Sequence, residues 1–201
     1  PGEVLILPRR NDPIREGALM RELSLHILDL AQNSLTAGAS RLDIIVEIDH
    51  KKDLVAITLS DDGKGMAPDF LKTVTSPFTT TRTTRKVGLG IPMFKENAEL
   101  TGGTFSIEST VGAGTKMRAG FVLSSIDRPP LGDLAATMIS LVVSNPEFHF
   151  HLDYLVDGQS FSFDTEEIRA VLGPVPLDSP EVVSWMKDYL EEGIESLHGG
   201  A

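Results

Sequence analysis

The chain contains no cysteine in 201 residues. That excludes thiolate nucleophiles, disulfides and cysteine-rich metal sites, and it fits a cytoplasmic setting. Long hydrophobic runs are also missing. The longest, residues 134–143, is about half of the ~20 residues that a membrane-spanning helix needs. The apolar start at residues 4–7 is followed rather than preceded by arginines, so no export signal is read there and no membrane association is expected. Positive charge is scarce in one region only. Residues 1–124 carry 15 acidic and 15 basic side chains, whereas residues 125–201 carry the other 14 acidic groups and 3 basic ones, which accounts for the formal charge of -11. An acidic tail of this kind repels nucleic acid and anionic membrane, and both are excluded as partners. The remaining composition, 41% hydrophobic and 23% charged, is that of a globular chain.

Residues 1–19 mix Pro, Gly, Asn and Asp with charges and show no helical period, so they read as an irregular segment. From Leu23, apolar residues recur at helical spacing through Leu25, Leu28, Ala31 and Leu35, and the run closes at Ala37-Gly38-Ala39. Residues 41–48 and 54–60 are β-branched and read as a hairpin. Residues 67–87, rich in Thr and cations, read as a mobile loop. A helix over 91–100 and strands over 104–109 and 115–123 follow. Pro129-Pro130 marks a boundary. Beyond it the pattern predicts a helix over 131–143, strands over 148–154 and 160–163, a short helix from Thr165, and a last helix over 180–197. The chain thus divides into residues 1–19, a domain over 20–124, and a small acidic α/β domain over 131–201. That last segment holds seven of the twelve aromatic residues.

Four short motifs follow one another in the central region. Asp29 and Asn33 share a helix stripe with His26 at spacing i, i+3, i+7. Asp61-Asp62-Gly63-Lys64-Gly65-Met66 follows a strand, Gly88-Leu89-Gly90-Ile91 opens a helix, and Gly112-Ala113-Gly114-Thr115 opens a strand. Taken singly, each is an ordinary turn or an exposed helix polar group. A glycine pair ahead of a helix leaves free N–H groups and a positive dipole end for phosphates. Arg82, Arg85 and Lys86 lie close together on the Thr-rich loop after Phe78, and taken alone they read as solvated surface.

In this order, the motifs resemble the N, G1, G2 and G3 boxes of the GHKL superfamily of gyrase, heat-shock chaperone, histidine kinase and mismatch-repair ATPases. The resemblance covers residues 20–123. It implies a Bergerat-type α/β sandwich, a mixed sheet covered on one face by helices, that binds ATP and Mg²⁺. It assigns Asn33 to magnesium, Asp61 to the adenine amino group, and Gly63, Gly65 and Met66 to the base. Phe78, Arg82, Arg85 and Lys86 fall in the lid. Gly88, Leu89, Gly90 and Ile91 fall at the phosphates, and Thr115 beside the adenine contact.

One position departs from the pattern. Hydrolysing members carry a glutamate as general base where this chain has Asp29, one methylene shorter, so turnover is expected to be slow. His26 either orients Asp29, takes over proton transfer, or is simply packed. The N-box helix begins too early for a preceding hairpin with a phosphoacceptor histidine, so a stand-alone kinase or phosphotransfer domain acting on a separate protein is expected. An ATP-gated binding module with little turnover and a dimeric ATPase are the alternatives. The acidic tail is expected to be the surface for a protein partner or for a second copy.

Overall fold

The structure is a computed structural model that describes residues 22–74 and 90–198. The first helix, α1 (Leu23–Thr36), buries Leu23, Ile27, Leu30 and Ala31, a spacing that repeats on one helix face. Gly38, at φ 73°, turns the chain out of it. Strands β1 (Arg41–Asp49) and β2 (Leu54–Asp61) form the expected antiparallel hairpin, with Leu42 opposite Asp61. The stretch read as a mobile loop over 67–87 begins instead with a helix, α2 (Pro68–Val74). Pro68 supplies a fixed φ where its missing N–H costs nothing, and Asp69 complements the dipole. Helix α3 (Gly90–Leu100) and strands β3 (Thr104–Thr110) and β4 (Gly114–Val122) follow. The chain then continues through α4 (Leu134–Ser144), β5 (His149–Val156), β6 (Gln159–Asp164), α5 (Thr165–Leu172) and α6 (Pro180–His198).

The six strands of the described residues form one mixed sheet in the order β3-β4-β2-β1-β5-β6. Alternation along the strands puts Leu42, Ile44, Val46, Ile57, Leu59, Phe150, Leu152 and Tyr154 on a buried face, under α1, α3 and α6, with α4 packed on α1 and α6. On the other face, Arg118 pairs with Glu47 at 3.1 Å and bonds Thr58 at 3.2 Å.

The segment 131–201, read from the sequence as a small domain, shares this sheet and this core. β5 runs parallel to β1 over eight register pairs, from Arg41 opposite His149 to Ile48 opposite Val156. Phe150, Leu152 and Tyr154 are fully buried beside Leu42, Ile44 and Val46. The Pro129-Pro130 stretch is pinned to the start of α1: Leu23 N–H donates to Pro130 O at 2.9 Å and Ser24 N–H to Leu131 O at 2.8 Å. Helix α4 begins three residues later than the apolar pattern suggests, because Asp133 accepts from Ala136 N–H and caps it.

Candidate nucleotide-binding site

The register carries three motif residues to one end of the sheet. Asp61 lies opposite Thr115, and Thr115 opposite Ser109, so the ends of β2, β4 and β3 form a polar row on the helix-facing side. Asp61 is held from two directions. Its Oδ2 accepts from Ser34 Oγ of α1 at 2.8 Å, and its Oδ1 from Gly63 N–H at 3.0 Å. A carboxylate oxygen has two lone pairs, so each oxygen keeps acceptor capacity for a ligand amine. Asp62 serves a different purpose. Its Oδ1 accepts from the N–H groups of Ser40 at 2.7 Å and Arg41 at 2.9 Å, and its Oδ2 from Ser40 Oγ. Partial burial works against its charge, but these hydrogen bonds outweigh it and hold the carboxyl below the usual range. Asp62 therefore fixes the entry to β1, leaving Asp61 as the carboxylate presented at the row.

The loop after β2 is clamped between α1 and the β3–β4 turn. Lys64 N–H donates to Ala37 O at 3.0 Å, Gly112 N–H to Lys64 O at 2.8 Å, and Met66 N–H to Ser109 Oγ at 2.8 Å. Gly65 adopts φ 63°, and a Cβ there would stand 2.0 Å from Thr110 O, so only glycine lets the two backbones meet. Ser109 Oγ also lies 2.8 Å from Thr115 Oγ1 and 3.0 Å from Gly114 O. Thr115 is thus fixed by Ser109. A depression of about 180 Å³ opens at this end of the sheet, with Asp61, Ser109, Gly114 and Thr115 in its lining.

The second part of the site lies where α3 meets α1. Gly90 opens α3, and a Cβ on it would lie 3.6 Å from Asp29 Cβ and 3.8 Å from Asn33 Nδ2. The start of α3 therefore lies against the two polar residues of the α1 stripe. Asp29 and Asn33 are half-buried, and Ile91 is buried behind Gly90. His26 is buried as well. Its Nε2 lies 2.8 Å from Asn97 Nδ2, and its ring packs on Phe94 at 5.9 Å. An amide nitrogen only donates, so Nε2 is the acceptor. Phe78, Arg82, Arg85, Lys86, Gly88 and Leu89 lie outside the described residues.

The donor set fits Mg²⁺·ATP. A carboxylate braced from two sides at a glycine-lined edge suits a purine amine, an amide side chain suits magnesium, and a helix N-terminus suits phosphate. Sequence reasoning missed Ser34 and Ser109, which orient Asp61 and Thr115. The only signal for either was strand and helix register.

The model of the family described as histidine kinase-, DNA gyrase B- and HSP90-like ATPases matches residues 19–125, just over half of the chain. The chain belongs to this family. Among histidine-kinase-like relatives, the sensor histidine kinase ZraS of Salmonella typhi is 35% identical over 89 residues, 44% of this chain and 19% of that one. A protein of Shewanella frigidimarina (strain NCIMB 400), named as a sensor, is 34% identical over 109 residues, 53% of this chain and 17% of that one. The chain thus spans less than a fifth of the length of these curated relatives. Among solved structures, the N-terminal domain of a DNA repair protein superposes with a TM-score of 0.52 at 13% identity, over 90% of this chain and 59% of that one, a likeness of fold. Among the described residues, no helix is long and apolar enough to cross a membrane.

Proposed function

We propose that this histidine-kinase-like ATPase domain binds Mg²⁺·ATP in the cleft between α1, the start of α3 and the Asp61 row, and passes the γ-phosphoryl group to a separate protein. The observation that carries the reading is the convergence of Asp29, Asn33 and the α3 N-terminus at one place, with Asp61 braced at the sheet end. Asp61 takes the adenine amino group, Asn33 holds the metal, and the α3 N–H groups receive phosphate. Bound Mg²⁺ supplies charge neutralisation of the phosphates. Asp29 stands at the base position, and His26, tied to Asn97, sets the packing of α1 on α3. In the transfer, the partner's side-chain oxygen or nitrogen bonds to the γ-phosphorus and gives up its proton to the Asp29 carboxylate, the bond to the β,γ-bridging oxygen breaks, and that electron pair leaves with ADP.

The short Asp29 side chain favours a second reading, an ATP-gated binding module with little turnover. Calorimetry separates the first from no function at this site. The wild type should prefer ATP over GTP by at least about tenfold, and Asn33→Ala should lose the magnesium dependence of binding. Equal affinity for GTP, or no binding, overturns the assignment. With γ-labelled ATP, a labelled protein supports transfer, and release of inorganic phosphate alone supports hydrolysis. ADP formation near the uncatalysed rate supports the gated module, and Asp29→Glu should then preserve or raise turnover.

A further inference from the structure

At the far end of the sheet from the nucleotide cleft, β6, α5 and α6 enclose a groove of about 570 Å³, with Ser162, Ile168, Val171, Leu172, Trp185 and Tyr189 among its lining residues. Its apolar wall is exposed. Val171 is 86% accessible, Trp185 48% and Tyr189 40%. The aromatics are ordered against each other and against the sheet. Trp185 stacks on Tyr189 with ring centroids 5.3 Å apart and planes 11° apart, and Tyr189 packs on Phe161 at 5.1 Å while its hydroxyl donates to Ser162 O at 3.3 Å. Two flat rings held in place present apolar area at little cost in ordering entropy, which suits recognition.

The rim is acidic and uncompensated. Glu167 lines the groove from α5. Along α6, Glu181, Asp188 and Glu192 share the helical stripe of Trp185 and Tyr189. All four carboxylates are exposed, and among the described residues none of them is in an ion pair. The nearby pairs are Arg169 with Glu166 and Lys187 with Glu191, which use the only arginine and the only lysine between residues 131 and 201, against 13 acidic side chains. Asp164, at the groove's end, is committed elsewhere: it caps α5 and accepts from His149 and His151 at 3.0 Å.

An apolar floor within an unneutralised acidic rim selects its occupant by charge. A second copy would set the same carboxylates against each other, and an anionic bilayer or nucleic acid would be repelled. We propose that this groove is a docking site for a basic segment of a partner protein, which inserts an apolar side chain between Val171 and the Trp185–Tyr189 stack and lays its cations on Glu167, Glu181, Asp188 and Glu192. The proposal is independent of ATP turnover and stands or falls separately from it.

Trp185 is the only tryptophan in the chain, so its emission reads the groove directly. The full chain is titrated with three short synthetic peptides of alternating residues: Leu-Lys, Leu-Glu and Ser-Lys. The Leu-Lys peptide should shift Trp185 emission saturably and bind at least about tenfold more tightly than either of the others. Val171→Asp and Glu167→Lys replace exposed side chains, and each should weaken the Leu-Lys peptide at least about tenfold with an unchanged far-UV spectrum and melting curve. Equal binding of Ser-Lys or Leu-Glu, or wild-type affinity in Val171→Asp, overturns the proposal. So does a Trp185 emission that shifts with protein concentration alongside dimer formation in sedimentation, which assigns the groove to a second copy. Residues 4–10 are apolar and then basic, and they are the rival within the chain. If deleting them raises affinity for the Leu-Lys peptide, and a peptide of residues 4–10 competes with it more strongly than Leu-Lys itself, the groove belongs to the chain's own segment and the proposal fails.

Discussion

Asp61→Asn should separate binding from folding, and the hydrogen-bond geometry says why. In the wild type, Oδ1 accepts from Gly63 N–H at 3.0 Å and Oδ2 from Ser34 Oγ at 2.8 Å. An asparagine can keep its oxygen on Gly63 and turn its NH₂ toward Ser34. The serine hydroxyl then accepts, and its own proton can turn to Leu30 O, which lies 3.5 Å away. Both internal partners stay satisfied, so stability should change by less than about 1 kcal/mol. The adenine amino group meets the opposite situation. It needs an acceptor, and the asparagine keeps one oxygen instead of two, presents a donor where Oδ2 stood, and carries no negative charge. Loss of a hydrogen bond to a charged group costs about 1.5–3 kcal/mol, or roughly tenfold to a hundredfold in affinity. Ser34→Ala supplies the graded control, because it keeps the carboxylate and removes one brace. It should weaken ATP by only about threefold to tenfold, equivalent to about 0.5–1.5 kcal/mol. Calorimetry with ATP, paired with urea unfolding of each variant, reads both quantities. An Asp61→Asn protein that melts like wild type and binds ATP with unchanged affinity would refute the argument. A Ser34→Ala protein weaker than Asp61→Asn would refute the role given to the brace.

Three further outcomes follow from the fold. Gly65→Ala must place a Cβ 2.0 Å from Thr110 O at φ 63°, so it should lower the unfolding free energy by at least about 2 kcal/mol and weaken ATP, both read by urea titration with and without nucleotide. Burial works against the Asp164 carboxylate, but His149 and the α5 N–H groups outweigh it and hold its pKa at about 2. A depressed folded-state pKa gives stability that is present above about pH 4 and lost as the pH falls toward 2. The stability gap between wild type and Asp164→Asn, on the order of 1–2 kcal/mol at neutral pH, should therefore close across that window in urea midpoints, and a gap that widens would count against it. Removing residues 131–201 takes away Phe150, Leu152, Tyr154 and Phe163, all fully or almost fully buried, each worth about 1.5–3 kcal/mol. Their sum is comparable to the 5–15 kcal/mol of a whole domain, so the shortened chain should show no cooperative melt, and a sharp transition would contradict the single core.

The motifs were legible because each depends on neighbours in sequence. Glycines at 63, 65 and 114 sit where turn geometry or close backbone approach requires them, and the helical stripe through Asp29 and Asn33 follows from periodicity alone. Long-range register was not legible. Nothing local to residues 149–156 says that they lie parallel to β1, so strong alternation there read as the strand of a separate unit. The acidic and aromatic composition of the tail strengthened that division, although its aromatics split between the common core, as with Phe150 and Tyr154, and the outer groove, as with Trp185 and Tyr189. Helix α2 was legible and overlooked: Pro68 followed by Asp69 is a helix-start signal, masked by the polar, Thr-rich residues downstream. Ser34 and Ser109 were invisible as functional residues because only pairing across the sheet and onto α1 brings their hydroxyls to Asp61 and Thr115.

The parallel pairing of β1 with β5 also sets a schedule for synthesis. More than a hundred residues separate Arg41 from its register partner His149, so the edge of β1 leaves the ribosome long before its neighbour exists. At about 5–20 residues per second, that interval lasts roughly 5–20 s. Throughout it, the apolar row Leu42, Ile44 and Val46 has no final partner on that side, and an open strand edge of this kind is a template for pairing with another nascent chain. The hairpin, α1 and the nucleotide loops are complete in sequence by then, yet the sheet they belong to is not. Holdase chaperones that bind extended apolar segments should therefore engage this chain chiefly in that interval, and slowing translation after residue 122 should lower its soluble yield rather than raise it.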